Sequence, residues 1–199
     1  MRRPQGDDGL TLIELLVAIG ILGAIMVPFA TFVVLGLVTT ARNNDDSANA
    51  SATQRLASYF TSDVQSAMTI SSGGTDCTST TALYQLTWTE STGIAASATR
   101  THVVSYDAVA YTSGLRNLTK LVRTECTTVP GVGTTSVTTV LVPSVTSSPA
   151  LSLQCDGSAC GASATPSSVT LTTTAGFPGT GVSTDPPISV TLSAARRTT

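Results

Sequence analysis

The chain has 199 residues, a formal net charge of -2, and charged side chains at only 11% of positions. That is about one domain's worth of sequence plus an N-terminal segment. Charge this sparse and this balanced forms no basic patch, so nucleic-acid binding has no electrostatic footprint here.

In chain order, residues 1–9, "MRRPQGDDG", are polar and begin with Arg2 and Arg3, and from Leu15 to Val38 there is no charge. A helix of ~20 apolar residues crosses a bilayer core, and an ordinary cleaved signal has an apolar core of only ~7–15. The run is therefore long enough to span. Arg2 and Arg3 put its N-terminal side in the cytoplasm, and Asp45 and Asp46 flank the other side.

A second helical pattern follows. Ala48, Ala52, Leu56, Tyr59 or Phe60, Val64 and Ala67 form an apolar stripe, with Gln54, Arg55, Ser58, Ser62 and Asp63 beside it. The spacing predicts one rod from Leu10 to Met68 that stops at "SSGG", residues 71–74. Gly20, Gly23 and Pro28 are points where it bends, and "RNNDD", residues 42–46, is a point where it breaks.

From Leu83 the period becomes two. "ALYQLTWTE", "THVVSYDAVAY", "LTKLVRTEC", "TSVTTVLV", "SSVTLTTT" and "ISVTLSAA" read as strands, with "VPGVG" and "FPGTGVSTDPP" as turns and loops. The fold class is α+β: a long N-terminal transmembrane-plus-amphipathic helix, then an antiparallel β-rich domain. The segments are 1–9 as a leader, 10–40 as the transmembrane helix, 41–70 as the amphipathic helix and 71–199 as the extracytoplasmic β domain.

The cysteines are Cys77, Cys126, Cys155 and Cys160, all after the apolar run. An even number outside the cytoplasm predicts disulfides. Of the three possible pairings, Cys155–Cys160 is favoured, because "CDGSAC" holds a tight-turn Asp156-Gly157. Cys77 and Cys126 then pair across the domain. Zinc competes, yet the only histidine is His102, so no metal and no cofactor are expected.

Glu14 is the one charge near the start of the apolar run. It has two plain readings: a T-x-x-E capping box with Thr11, or a carboxylate that reaches water at the membrane edge. A third reading starts from the cost of a buried carboxylate, which needs a partner. A cut between Gly9 and Leu10 creates a positive α-amine, and Glu14 of one chain then meets that amine on a neighbouring copy.

"GLTLIELLVAIGILGAI", Gly9 to Ile25, resembles the cleavage and methylation signature of type IV pilins and type II secretion pseudopilins. The resemblance implies that a prepilin peptidase cuts after Gly9 on the cytoplasmic side, that Leu10 becomes the methylated N-terminus, and that Glu14 sets subunit register. Leu10 stands where Phe is usual, and Asp7 and Asp8 stand where basic residues are commoner. It further implies an inner-membrane subunit with its C-terminal domain outside. Its partners are then the lipid bilayer, other pilin or pseudopilin subunits of a cell-surface filament, and an inner-membrane assembly machine. "QRLASYFTSDVQSA", residues 54–67, with Asp63, Val64 and Ala67, is similar to the larger minor pilins and J-type pseudopilins, as are "VVSYDA" and "LTKLVRTE".

No catalytic constellation stands out, so the expected role is structural and not enzymatic. The carboxylates Asp76, Glu90, Asp107, Glu125, Asp156 and Asp185 are scattered, calcium at Asp156 or Asp185 has no EF-hand pattern behind it, and Asn117-Leu118-Thr119 is only a formal glycosylation sequon. The alternative from another class is a secreted or anchored binding module or enzyme, cut near Ala41 after "VTTA".

Overall fold

The computed structural model describes residues 11–75, 77–78, 82–91, 99–145, 151–162, 164–175 and 188–197. The leader 1–9, Leu10, Asp76, Asp185 and the "FPGTGVSTDPP" loop lie outside the described residues. The chain divides after Asn44 into two compact units.

Helix α1 runs over Leu12–Ser66. It stays helical through Pro28 and through residues 42–46, so the expected break at "RNNDD" does not occur. Its first unit is exposed all round, from Leu12, Leu16 and Ile19 to Phe32 and Leu37. A helix that is apolar on every side has no inner face to bury against one partner, and it suits hydrocarbon. This helix is long and apolar enough to cross a membrane by length and composition. Its hydroxyls are internally satisfied. Thr31 donates to the Val27 carbonyl at 3.0 Å, Thr39 to Leu35 at 2.8 Å and Thr40 to Gly36 at 2.8 Å.

The second unit holds the rest of α1 and nine strands: β1 (Thr69–Ser72), β2 (Tyr84–Ser91), β3 (Thr99–Ser113), β4 (Arg116–Val129), β5 (Gly133–Val142), β6 (Ser152–Cys155), β7 (Ser158–Ala159), β8 (Ser168–Ala175) and β9 (Ile188–Ala195). The first five form an antiparallel meander in chain order, and the others form a sheet ordered β7-β6-β8-β9. An isolated bridge between Ile70 and Ala164 joins β1 to the segment after β7. The fold is α+β, as the periodicities require.

The helix was expected to continue to residue 70, but it ends at Ser66. The edge of the meander captures the chain there, because the Met68 amide donates to the Thr87 carbonyl at 2.9 Å and Ile70 pairs with Leu86. Thr69 and Ile70 are β-branched, which favours that exchange.

The core is one cluster. Leu56, Phe60 and Val64 of α1 meet Leu86, Val104, Leu121 and Leu141 from the meander, and Leu153, Val169 and Leu171 from the second sheet. Of the two aromatics open at the stripe, Phe60 is fully buried, whereas Tyr59 stays 37% exposed.

Both favoured disulfides are present. Cys77–Cys126 joins residues 49 apart, and Cys155–Cys160 joins residues 5 apart. The short one encloses the β6–β7 hairpin, where Cys155 pairs with Ser158 around Asp156 (φ 50°) and Gly157 (φ 81°). Both central residues lie at positive φ, as a type I′ turn demands, and Asp-Gly supplies them at low cost. Gly114 (φ 60°) does the same at the first position of the β3–β4 turn.

Candidate functional site

The first site is the start of α1. Thr11 sits just before the helix and Glu14 lies in its first turn, both exposed. The Glu14 amide donates to Thr11 Oγ1 at 3.4 Å, and the Thr11 hydroxyl donates to Glu14 Oε2 at 3.5 Å. This is half of a capping box: the Glu14 amide bonds the Thr11 carbonyl more closely, at 3.0 Å, and the carboxylate accepts from the Thr11 hydroxyl. It leaves the carboxylate on the surface of an unpacked helix, where a second molecule can reach it. Gly9 and Leu10, the expected cut, lie outside the described residues.

The second site was not legible as a site. Asp63 was read beside the apolar stripe among polar neighbours, but it is buried at 3% exposure. Its place follows from spacing: Leu56, Phe60 and Asp63 are separated by four and three residues, so all face the sheet. Burial is tolerated because Arg123 pairs with it. Arg123 Nη2 donates to Oδ1 at 2.7 Å and Nε to Oδ2 at 2.8 Å, a two-pronged contact between parallel forks. The Tyr106 hydroxyl donates to Oδ2 at 2.6 Å. Tyr106 and Arg123 are directly opposite in the β3–β4 ladder, so one cross-strand pair grips one helix residue.

The network continues along the same sheet face. Arg123 Nη1 donates to Glu125 Oε2 at 3.0 Å, and its guanidinium lies 4.9 Å over the Tyr59 ring. Glu125 Oε1 is 3.2 Å from His102 Nδ1, while His102 Nε2 is 3.4 Å from Glu90 Oε2. His102 stacks on Trp88, its cross-strand neighbour, with ring centroids 5.0 Å apart. The lone histidine was expected on a strand face, and it sits there between two of the carboxylates that looked scattered.

Burial raises the Tyr106 hydroxyl well above the ordinary tyrosine range, and the Asp63 carboxylate pushes the same way. For Arg123, burial works against the charge, but its hydrogen bonds to Asp63 outweigh that and raise it further. Asp63, Tyr106 and Arg123 thus form a buried ionic clamp between α1 and the β3–β4 ladder.

Asp156 is occupied by its neighbours. The Ser167 hydroxyl donates to Oδ1 at 2.6 Å, the Ser168 amide to the same oxygen at 2.8 Å and the Ser167 amide to Oδ2 at 3.1 Å. These bonds, the Ser167 hydroxyl first, lower its pKa to about 2. Both oxygens are thus committed to a turn. Among the described residues no group of three or more His, Cys, Asp or Glu could hold a metal ion. Asn117 is exposed in β4 next to the turn, where its Oδ1 accepts from Thr112 at 3.3 Å.

No curated protein and no solved structure matches the chain. Residues 5–30 match the family model of the prokaryotic N-terminal methylation motif, and with the exposed apolar helix behind it this match supports a prepilin-type signature at the start of the chain.

Proposed function

We propose that this chain is a minor structural subunit, not an enzyme, of a type IV pilus or a type II secretion-like pseudopilus. One observation carries the reading: the methylation motif covers residues 5–30, which include Gly9, Leu10 and Glu14, at the head of an apolar helix with no protein packed around it. In this reading prepilin peptidase cuts after Gly9 and Leu10 is methylated. The protein waits in the inner membrane with its C-terminal domain outside, and the assembly machine then draws it into a filament of related subunits. The apolar helix leaves lipid because neighbouring helices replace that lipid. Glu14 meets the α-amine of a neighbour, which offsets the cost of desolvating it. The residues that drive this lie in α1, while the β domain faces outward and sets contacts.

Mass spectrometry of the mature N-terminus tests the proposal. A chain that starts at methylated Leu10 is expected. A chain that starts near Arg42 belongs to the secreted alternative and overturns it.

A further inference from the structure

The second unit carries one pair of adjacent acidic residues, Asp45-Asp46, and one pair of adjacent basic residues, Arg196-Arg197. The course of α1 separates them. The unit begins at Asp45. Arg55 then donates from Nη1 to the Val140 carbonyl of β5 at 3.1 Å, Asp63 is gripped by β3 and β4, and the Met68 amide meets Thr87 of β2. The helix therefore crosses the meander from the β5 edge towards β1. The acidic pair stands about 15 Å along the helix before Arg55, at ~1.5 Å per residue. Asp46 is exposed and Asp45 half-buried, and neither makes an ion pair among the described residues.

The basic pair lines a cleft of about 940 Å³ at the other end, where α1 stops, together with Ser62, Ser66 and Thr165. Arg196 Nη1 donates to the Met68 carbonyl at 2.9 Å. That acceptor is neutral, so the guanidinium is held in place and keeps its charge. Arg197 is exposed and makes no ion pair among the described residues. The one carboxylate in the wall, Glu90, stands 3.4 Å from His102 Nε2. The lining thus sets two guanidinium groups against one carboxylate, and a partner of net negative charge suits it.

The two pairs do not meet within one chain, because α1 rises about 30 Å between Asp45 and Ser66. They meet between two copies with parallel helices, one displaced along α1 by about that length. Parallel helices follow when every copy enters the filament from the same membrane in the same orientation, so the inference rests on the filament reading above. The contact is head-to-tail. Each copy keeps a free acidic end and a free cleft, so it propagates without closing. We infer that the Asp45-Asp46 end of one copy docks on the Arg196-Arg197 cleft of a second copy of this chain in the assembled filament.

All four native cysteines are in disulfides, so introduced thiols react alone. Asp46→Cys and Arg197→Cys are combined in one chain, sheared filaments are oxidised mildly, and a non-reducing gel is read for a dimer. A dimer is expected from the double variant and from neither single variant. Adding Asp45→Arg is expected to cut the dimer about tenfold, and adding Arg196→Asp to that chain to restore it, since like charges repel across an interface and opposite charges fix its register. Filaments that contain the double variant without a dimer overturn the contact alone. So does a dimer from either single variant, or one that Asp45→Arg leaves unchanged. Absence of the unaltered chain from sheared filaments overturns the filament reading and the contact with it.

Discussion

Asp63→Ala is the most informative single change in the globular unit. The carboxylate accepts three short hydrogen bonds at 2.6, 2.7 and 2.8 Å, from Tyr106 and twice from Arg123. Its removal leaves the Arg123 guanidinium, at 5% exposure, with Glu125 alone as counter-ion, and leaves a buried hydroxyl without its acceptor. Breaking a buried ion pair from one side costs about 3–5 kcal/mol. For a unit the size of Asp45–Thr199 that lowers Tm by about 6–20 °C, at about 2–4 °C per kcal/mol. Urea unfolding in detergent, followed by Trp88 emission, measures it. The paired change Asp63→Leu with Arg123→Met removes both charges and keeps volume. It is expected to be less destabilising than Asp63→Ala, because buried pairs barely repay their desolvation, with about 1–3 kcal/mol still lost to the Tyr106 hydroxyl left without its acceptor. A loss below about 1 kcal/mol in Asp63→Ala, or a double variant as damaged as the single one, refutes the clamp.

The remaining predictions concern cross-links, pH and assembly. Cys126→Ser opens a loop of 49 residues and is expected to cost up to about 4 kcal/mol by loop entropy, against about 2 kcal/mol for Cys160→Ser, whose loop spans 5; non-reducing urea melts separate them. Asp156, with its pKa lowered to about 2, stabilises the fold only while ionised. Its contribution is complete above the ordinary Asp range near ~4 and disappears as pH falls toward 2, so Asp156→Asn flattens that limb of an acid titration. Tyr106 is raised, so its contribution is complete below pH ~10 and declines as pH climbs above it; Tyr106→Phe removes that alkaline limb. Glu14→Val is expected to leave membrane insertion and cleavage intact and to reduce incorporation into filaments, read by blotting sheared filaments against membranes. Normal incorporation assigns Glu14 to capping alone.

Periodicity carried far in this sequence. Four strand phrases fall within β3, β4, β5 and β9, and two overlap β2 and β8 with a start one or two residues early, since each strand is long enough to alternate. The four-residue β1 and β6 and the two-residue β7 escaped it, because so few positions define no period. The Asp-Gly turn pointed to one disulfide, and elimination to the other. The Asp63 clamp was hidden for a different reason. Its partner lies 60 residues away, and an aspartate in an apolar stripe looks like a boundary until the cation that neutralises it is known. The "RNNDD" segment misled because propensity is weak, and helix on both sides carries such residues along.

The meander has a temporal meaning. Each strand from β1 to β5 pairs with its neighbour in sequence, so a chain delivered N-terminus first can zip this sheet in the order in which it emerges. Asp63 takes its partners from two strands, Tyr106 on β3 and Arg123 on β4, so it is fully paired only in a fold that holds both. The ion pair therefore acts as a register check: α1 is tied to the sheet only where β3 and β4 are correctly paired, since a slip of one residue turns Arg123 to the opposite face.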